Sequence, residues 1–413
     1  MNRLDDQYLT ASEAAGVLGV SIQTLYVYVG RKGIRTERIR GTRFRRYWKA
    51  DIERVKAGAL LSAPPGSSEP AMRSEITFLT GGDTLYRGRS ATDLARHASF
   101  ESVAALLWAV EEKAVFSSPA PLHPPLAARL RDLLAKQAPV DRITAILPFL
   151  EAANPHAFDL SPSGTARTGV DVLRSLAALT VNASRPSDEP IHLFIARHLR
   201  RPRSDAELIR QMLVLSADHG FEAGALVARA VASRGVTLWR VIGAALSASI
   251  GHPGQLGVAD AIYQLLDEIA NSHEPERPII QRVRDGALHY GFEAPTYGQG
   301  EPIYGDGDPR ARTLFELFDR QIGDEPDFRR LKKALLVALD IANVRPNNAL
   351  MCLFLYRRLG LGSRSPLFHL GRAAGWIAHA REQHQTGEVS HVRGLYTGPP
   401  STPKDAPRGG RSS

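Results

Sequence analysis

Apolar residues recur at helical spacing through most of this chain, and this periodicity constrains the fold more than any other feature. The segments "ATDLARHASFESVAALLWAVEE", "SDAELIRQMLVLSADHG" and "VADAIYQLLDEIANS" place apolar residues at i, i+3, i+4 and i+7. Strand patterns are scarce, and only "EITFLTGG" and "TLYRGRS", near the start of the helical region, suggest a small ribbon. The sequence therefore predicts a mainly α-helical body.

A change of composition separates this body from a shorter first block. Residues 59–73, "ALLSAPPGSSEPAMR", are rich in Ala, Pro, Ser and Gly, which is typical of a linker. We therefore expect a first domain at 1–58, a helical domain at 74–399 and a disordered tail at 400–413. A single cysteine excludes a disulfide framework within the chain, and no spacing suggests a metal site. No run is long enough to span a membrane and no signal-peptide core opens the chain, so we expect a cytoplasmic protein.

Positive charge is concentrated in the first block. The chain carries a net charge of +9. Residues 1–58 hold 12 Lys/Arg and 6 Asp/Glu, so 12 minus 6 gives +6 for this block alone. This asymmetry favours a polyanionic partner for the first block.

The first block also has the pattern of a helix-turn-helix, in "YLTASEAAGVLGVSIQTLYVYVGRKGI". Thr10 is placed to cap a first helix, with Glu13 completing a capping box. Gly19 suits a left-handed turn, Ser21 a second cap, and Leu25 an inward position. A basic segment with a Gly-Thr turn follows, which suits a two-stranded wing.

These residues and the closing "Y-x-x-x-D-I-E-R" pattern resemble the MerR/excisionase type of winged helix-turn-helix. The resemblance implies DNA binding, in which the basic side chains contact phosphates. The alternative is a small helical accessory domain with a solvated basic face. The candidate DNA-binding residues are Gln23, Thr24, Tyr26, Arg31, Lys32, Arg40, Arg43, Arg45 and Arg46.

The helical block carries a series of motifs that resembles citrate synthases. They are "RGRSATDLARHASFESVAALLW", "LSADHGFEAGALVARAVASRG", "GVADAIYQLLDEI", "YGDGDPRA", "LFHLGRAAGWIAHAREQ" and "VRGLYTGP", in the family's order. The resemblance implies a helical body of two subdomains that dimerises, with the active site between the subdomains. It also implies oxaloacetate or citrate and acetyl-CoA or another acyl-CoA as ligands, without a permanently bound cofactor.

The family's substrate-binding positions are largely kept. The resemblance places His219, Arg310 and Arg372 on residues that hold the carboxylates of oxaloacetate. Guanidinium forks and imidazole donors suit that task. The late carboxylate-binding arginine falls on His391, and Arg393 matches only the second arginine of its segment.

The three catalytic positions are changed. Gln255 stands where a histidine binds the enol, Glu301 where a histidine polarises the ketone, and Arg345 where an aspartate removes a proton. A glutamine can still donate a hydrogen bond, whereas an ionised glutamate cannot and repels oxaloacetate. A guanidinium stays protonated and cannot act as a base at neutral pH. If Glu301 and Arg345 face one another, they could form an ion pair across the cleft.

Three functions fit these observations. The first is a DNA-binding regulator that responds to a carboxylate or an acyl-CoA through a catalytically degenerate body. The second is an enzyme, either a citrate or methylcitrate synthase or a variant condensing or thioester-cleaving enzyme in which Glu301 becomes the base. The third is a regulatory subunit that pairs with a second citrate synthase chain rather than with its own copy.

Overall fold

The computed structural model describes residues 8–31, 34, 36–38, 45–56, 72–80, 82–250, 253–288, 290–293 and 307–387. Its contacts divide the chain into two compact units, Met1–Glu75 and Ile76–Ser413.

The first unit contains three short helices and a three-stranded antiparallel sheet of order β1-β3-β2 within its described residues. Its elements are β1 (Tyr8–Leu9), α1 (Ala11–Leu18), α2 (Ile22–Arg31), β2 (Thr36–Arg38), β3 (Arg45–Trp48) and α3 (Lys49–Lys56).

Local chemistry explains where α1 begins and ends. The Thr10 hydroxyl accepts from the Glu13 amide, and the Glu13 carboxylate accepts from the Thr10 amide, which confirms the predicted capping box. Gly19 ends the helix at φ 69°, as predicted. Leu25 of α2 is fully buried and packs in one cluster with Tyr47 of β3 and Ile52 of α3. These elements agree with the predicted local pattern, while the winged helix-turn-helix assignment stays a prediction.

The second unit is mainly helical. Its strands are β4 (Thr77–Leu79), β5 (Thr84–Tyr86), β6 (Arg89–Ser90), β7 (Phe292–Glu293) and β8 (Arg345–Pro346). Its helices are α4 (Ala91–His97), α5 (Phe100–Trp108), α6 (Glu112–Phe116), α7 (Pro125–Leu133), α8 (Pro139–Ala153), α9 (Pro162–Thr180), α10 (Ile191–His198), α11 (Arg203–Leu215), α12 (Ala223–Ala232), α13 (Leu238–Ile250), α14 (Pro253–Asn271), α15 (Arg277–Arg284), α16 (Pro309–Ile322), α17 (Pro326–Ala342), α18 (Asn348–Leu359) and α19 (Leu367–Thr386).

The small ribbon that the sequence predicts at the start of this unit is confirmed. β4 and β5 pair antiparallel with Thr77 opposite Tyr86, and β6 extends the sheet to three strands. Tyr86 is fully buried, so this ribbon delivers one hydroxyl into the helical core.

Helix α19 lies at the centre of the core and is buried along almost its whole length, as expected of a helix without a broad polar face. Two glycines let it approach neighbouring backbone closely. A Cβ atom at Gly375 would lie 2.4 Å from the Ala217 carbonyl oxygen, and one at Gly371 would lie 3.0 Å from the Leu213 carbonyl oxygen. The Gly375 amide instead donates to the Ala217 carbonyl at 2.9 Å. α19 is therefore fixed directly against the segment that follows α11.

Across the residues described, none of the helices combines the length and apolar character needed to cross a bilayer.

Candidate functional site

His219 lies on the loop between α11 and α12, and this loop is fixed from several sides. The Asp218 amide donates to the Tyr86 hydroxyl at 3.3 Å, and that hydroxyl lies 3.2 Å from the Asp218 carbonyl oxygen. The Gly220 amide donates to Asp218 Oδ2 at 2.8 Å. Burial raises the pKa of Tyr86 well above its ordinary value, so the hydroxyl stays protonated. The loop thus holds its neighbouring imidazole in one place.

The His219 side chain is neutral at physiological pH. Burial lowers its pKa, the charges of Arg310 and Arg372 lower it further, and the resulting value is about 3. A neutral imidazole has one N–H donor and one acceptor nitrogen. His219 can therefore donate a hydrogen bond to a carboxylate or carbonyl oxygen without adding a buried charge.

Arg310 stands in the first turn of α16 and is bound by the residue that caps that helix. Its Nε and Nη2 donate to the two carboxylate oxygens of Asp308 at 2.9 and 2.7 Å. Burial would raise the pKa of Asp308, but the bidentate arginine outweighs it and the pKa is lowered. Arg310, which the sequence predicts to bind a ligand carboxylate, therefore already binds a carboxylate of the chain itself.

Arg372 differs from Arg310 in that one nitrogen of its buried guanidinium lacks a hydrogen-bond partner among the described residues. Its side chain lies in the middle of α19 and is 4% exposed. Its guanidinium carbon lies 5.1 Å from the ring centroid of Phe368, one turn earlier. Within the described part of the chain, its Nη1 has no hydrogen-bond partner. A buried guanidinium cannot lose its proton, so this geometry favours an anionic ligand.

His219, Arg310 and Arg372, here named the basic cluster, are near enough for both arginine charges to act on the imidazole. The structure therefore brings together three of the positions that the sequence assigns to carboxylate binding. Their role as ligand-binding residues stays a prediction.

A buried network of polar side chains lies behind the basic cluster, and the sequence analysis does not predict it. His379 Nε2 of α19 lies 3.4 Å from Asp218 Oδ1, and Arg229 of α12 donates to His379 Nδ1 at 3.1 Å. Arg229 also contacts Glu382 at 2.5 Å. Because an arginine can only donate, His379 presents its Nε2–H to Asp218. Burial would raise the pKa of Asp218, but His379, Arg372 and Thr77 hold it at about 2.

This polar network is hard to foresee because it links segments that are distant in the sequence. Asp218 adjoins His219 in "ADHG", and His379 follows Arg372 by seven residues, two helical turns later on the same face. That spacing is the one signal that the sequence offers.

Of the three changed catalytic positions, the structure describes the side chain of Arg345 alone. Arg345 lies on β8, exposed, with its backbone paired to Glu293 of β7. Gln255 lies in the first turn of α14, but its side chain is outside the described part of the chain, as are Glu301, His391 and Arg393. The predicted ion pair between Glu301 and Arg345 stays a prediction.

In the first unit, the candidate DNA-binding residues that the structure describes divide into two kinds. Tyr26 is 57% exposed and Arg45 is also exposed. Arg46 instead pairs with Glu37 at 3.1 Å and lies over the Tyr8 ring, so it contributes to the unit's own packing. The side chains of Gln23, Thr24, Arg31, Lys32, Arg40 and Arg43 lie outside the described residues.

No group of three or more His, Cys, Asp or Glu that could hold a metal ion occurs in the described ranges.

Comparison with known proteins agrees with this architecture. The model of the citrate synthase C-terminal domain matches residues 67–393. Among curated proteins, citrate synthase 1 of Mycobacterium tuberculosis is 27% identical, over 79% of this chain and 85% of its own length. The 2-methylcitrate synthase of the same species is 26% identical, over 85% and 91%.

Solved structures show the same fold. Citrate synthase of Thermotoga maritima superimposes with a TM-score of 0.64 at 23% identity, over 81% of this chain and 95% of its own. Citrate synthase of Pyrobaculum aerophilum gives a TM-score of 0.67 at 20% identity, over 81% and 91%. From the family match over most of its length, the chain belongs to the citrate synthase family.

Proposed function

We propose that the body of this chain binds a small di- or tricarboxylate, such as oxaloacetate or citrate, at the basic cluster. The observation that supports this most directly is Arg372, a buried guanidinium whose Nη1 has no hydrogen-bond partner among the described residues. A carboxylate oxygen would supply the missing acceptor and offset the desolvated charge. His219, held neutral, would donate beside it.

One use of such a site is condensation of acetyl-CoA or propionyl-CoA with oxaloacetate. The names of the relatives, citrate synthase and 2-methylcitrate synthase, support this use more directly than any other. A solved structure of the Thermoplasma acidophilum enzyme holds carboxymethyl coenzyme A with oxaloacetate. Acyl-CoA would then be a substrate rather than a permanently bound cofactor.

The residue at position 345 opposes a fast reaction of that kind. An arginine cannot accept a proton, and loss of a general base costs about 10²–10⁴ in rate. We therefore propose that carboxylate binding is retained and that condensation by this chain alone is slow.

A regulatory use of the same site is the second candidate. The first unit carries a net charge of +6 over residues 1–58, and Tyr26 and Arg45 are exposed on it. These features support a DNA-binding head whose affinity changes when a carboxylate or acyl-CoA closes the two subdomains of the body. The assembly would be a homodimer or a heteromer with a second citrate synthase chain.

One set of measurements separates these uses. Release of free thiol from acetyl-CoA plus oxaloacetate reports condensation, and thermal stabilisation by oxaloacetate, citrate and acyl-CoAs reports binding. We expect stabilisation with thiol release far below that of a relative assayed in parallel. Rapid thiol release would instead establish the condensing enzyme, and the absence of stabilisation by any of these acids would refute carboxylate binding.

A second measurement addresses the head. Binding to duplex DNA at low salt, with and without citrate, should change with the ligand and weaken steeply with added salt. If the chain does not bind DNA at low salt, the remaining regulatory alternative is a subunit that pairs with a second citrate synthase chain. Co-purification with such a chain would test that alternative.

A further inference from the structure

A groove of 240 Å³ lies on the body between α16, α17 and β8. Its apolar surface comes from Phe315, Leu336, Leu339 and Val344, and we name it the leucine groove. Leu336 is 60% exposed and Leu339 is 39% exposed. Large apolar side chains that remain exposed side by side in a concave surface mark a binding site more often than chance.

Two arginines give this groove a positive edge. Arg312 of α16 and Arg345 of β8 both line it and are both exposed. No ion pair or hydrogen bond of either guanidinium occurs among the described residues.

The other charged residues that line the groove are already paired. Asp308 is bound by Arg310, and Lys332 Nζ lies 2.7 Å from Asp319 Oδ1. The leucine groove therefore offers an apolar surface and a net positive charge, and the carboxylate that lines it, Asp308, is already bound by Arg310.

Backbone geometry holds the stem of Arg345 against the groove. Gly307 has φ +87°, a conformation that favours glycine, and a Cβ atom there would lie 2.7 Å from Arg345 Cδ. The side chain thus lies directly across the glycine backbone. Residue 345 lines the groove here instead of acting as a base.

We propose that the leucine groove binds an unbranched monocarboxylic acid of medium chain length. The carboxylate would pair with Arg345 and Arg312, and the alkyl chain would cover Leu336 and Leu339. A second carboxylate on the ligand would lose water against the apolar surface without gaining a partner, which disfavours the di- and tricarboxylates proposed for the basic cluster. The ligand contacts proposed here, Arg312, Arg345 and the leucines, differ from those of the basic cluster, and so does the class of acid.

Calorimetric titration of the full-length chain with butanoate, hexanoate and octanoate tests this inference. Each methylene that the groove covers is expected to tighten binding about fourfold, which corresponds to about 0.8 kcal/mol. Octan-1-ol, which lacks the charge, should bind at least about tenfold more weakly than octanoate.

Two variants with matched controls locate the site. Arg345→Gln should weaken octanoate binding by about tenfold, whereas Arg329→Gln, an exposed arginine of α17 outside the groove, should not. Leu336→Asn should flatten the dependence on chain length, whereas Leu133→Asn, at a residue 79% exposed on α7, should preserve it.

The outcomes are distinct from those of the proposed function. Affinity that does not depend on chain length, or that survives Arg345→Gln unchanged, would overturn the inference. Arg372→Met should lose citrate binding and keep octanoate binding, so failure at one site is distinguishable from failure at the other.

Discussion

The basic cluster and the edge around residue 345 differ in how firmly the fold determines them. In the cluster, Arg372 is buried and the loop that carries His219 is fixed by Tyr86, Asp218 and the close approach of Gly375. At the edge, Arg345 is exposed on a two-residue strand beside exposed leucines. The fold therefore constrains the buried side chains of the cluster more than the exposed side chain of Arg345.

This difference explains how residue 345 can change while the basic cluster is kept. Replacing a buried side chain such as Arg372 disturbs the packing around it, whereas an exposed residue on β8 can be exchanged at little cost to folding. A change at residue 345 can therefore leave the buried basic cluster intact.

The largest expected effect comes from returning the family's residues to the three changed positions. The triple variant Gln255→His, Glu301→His, Arg345→Asp should raise thiol release from acetyl-CoA and oxaloacetate by about 10²–10⁴, because a carboxylate can accept a proton. The matched control carries Arg345→Asn with the same two histidines. Equal rates in both variants would show that position 345 does not limit the reaction.

The second prediction concerns the cluster itself. Arg372→Met should weaken citrate or oxaloacetate binding by about 30-fold or more, since truncating one partner of a buried charge pair costs about 2–5 kcal/mol. Calorimetry measures the change, with Arg329→Met as an exposed control. Unchanged affinity would exclude Arg372 as a ligand contact.

A smaller effect is expected from the carboxylate behind the cluster. The pKa of Asp218 is about 2 in the folded chain, against about 3.9 when unfolded. A lowered pKa stabilises the fold above pH 4, and that contribution, about 2.6 kcal/mol, is lost as the pH falls towards 2.

Urea unfolding of Asp218→Asn at several pH values checks this contribution. The difference from the unsubstituted chain should shrink as the pH is lowered from 5 towards 2. The variant Asp324→Asn, at an exposed position, serves as the control. A difference that stays constant with pH would mean that Asp218 acts through packing and not through its charge.

Another pH-dependent effect, at a milder pH, is expected at His219. Its pKa is about 3 when folded and about 6.5 when unfolded, so the unfolded chain binds a proton first as the pH falls. Stability from this residue is complete above pH 6.5 and is lost below it, by about 2 kcal/mol at pH 5. In His219→Gln this loss should be absent, whereas exposed His97→Gln should keep it. A pH profile of unfolding that is identical in both variants would contradict a neutral, buried His219.

Sequence reasoning succeeds here where the determinants are local. The capping box of Thr10 and Glu13, the left-handed Gly19 and the ribbon of β4 and β5 each depend on residues close together in the chain, and each is confirmed. The positions of His219 and Arg372 follow from family motifs rather than from helical periodicity.

The parts that escape the sequence are contacts between distant segments. Asp218 and His379 meet only because α19 packs on the loop after α11. The pairing of Arg310 with Asp308 also escapes the sequence, because a motif shows that an arginine is present but not which carboxylate already binds it. The leucine groove exists only where α16, α17 and β8 come together, and no short stretch of sequence encodes that shape.

The contact between Gly375 and Ala217 has a consequence for how signals could pass through the body. Because the helix that carries Arg372 and the loop that carries His219 touch backbone to backbone, neither can shift without carrying the other. The helix and the loop therefore behave as one rigid unit. A side chain larger than glycine at position 375 would therefore displace the helix and the loop relative to one another.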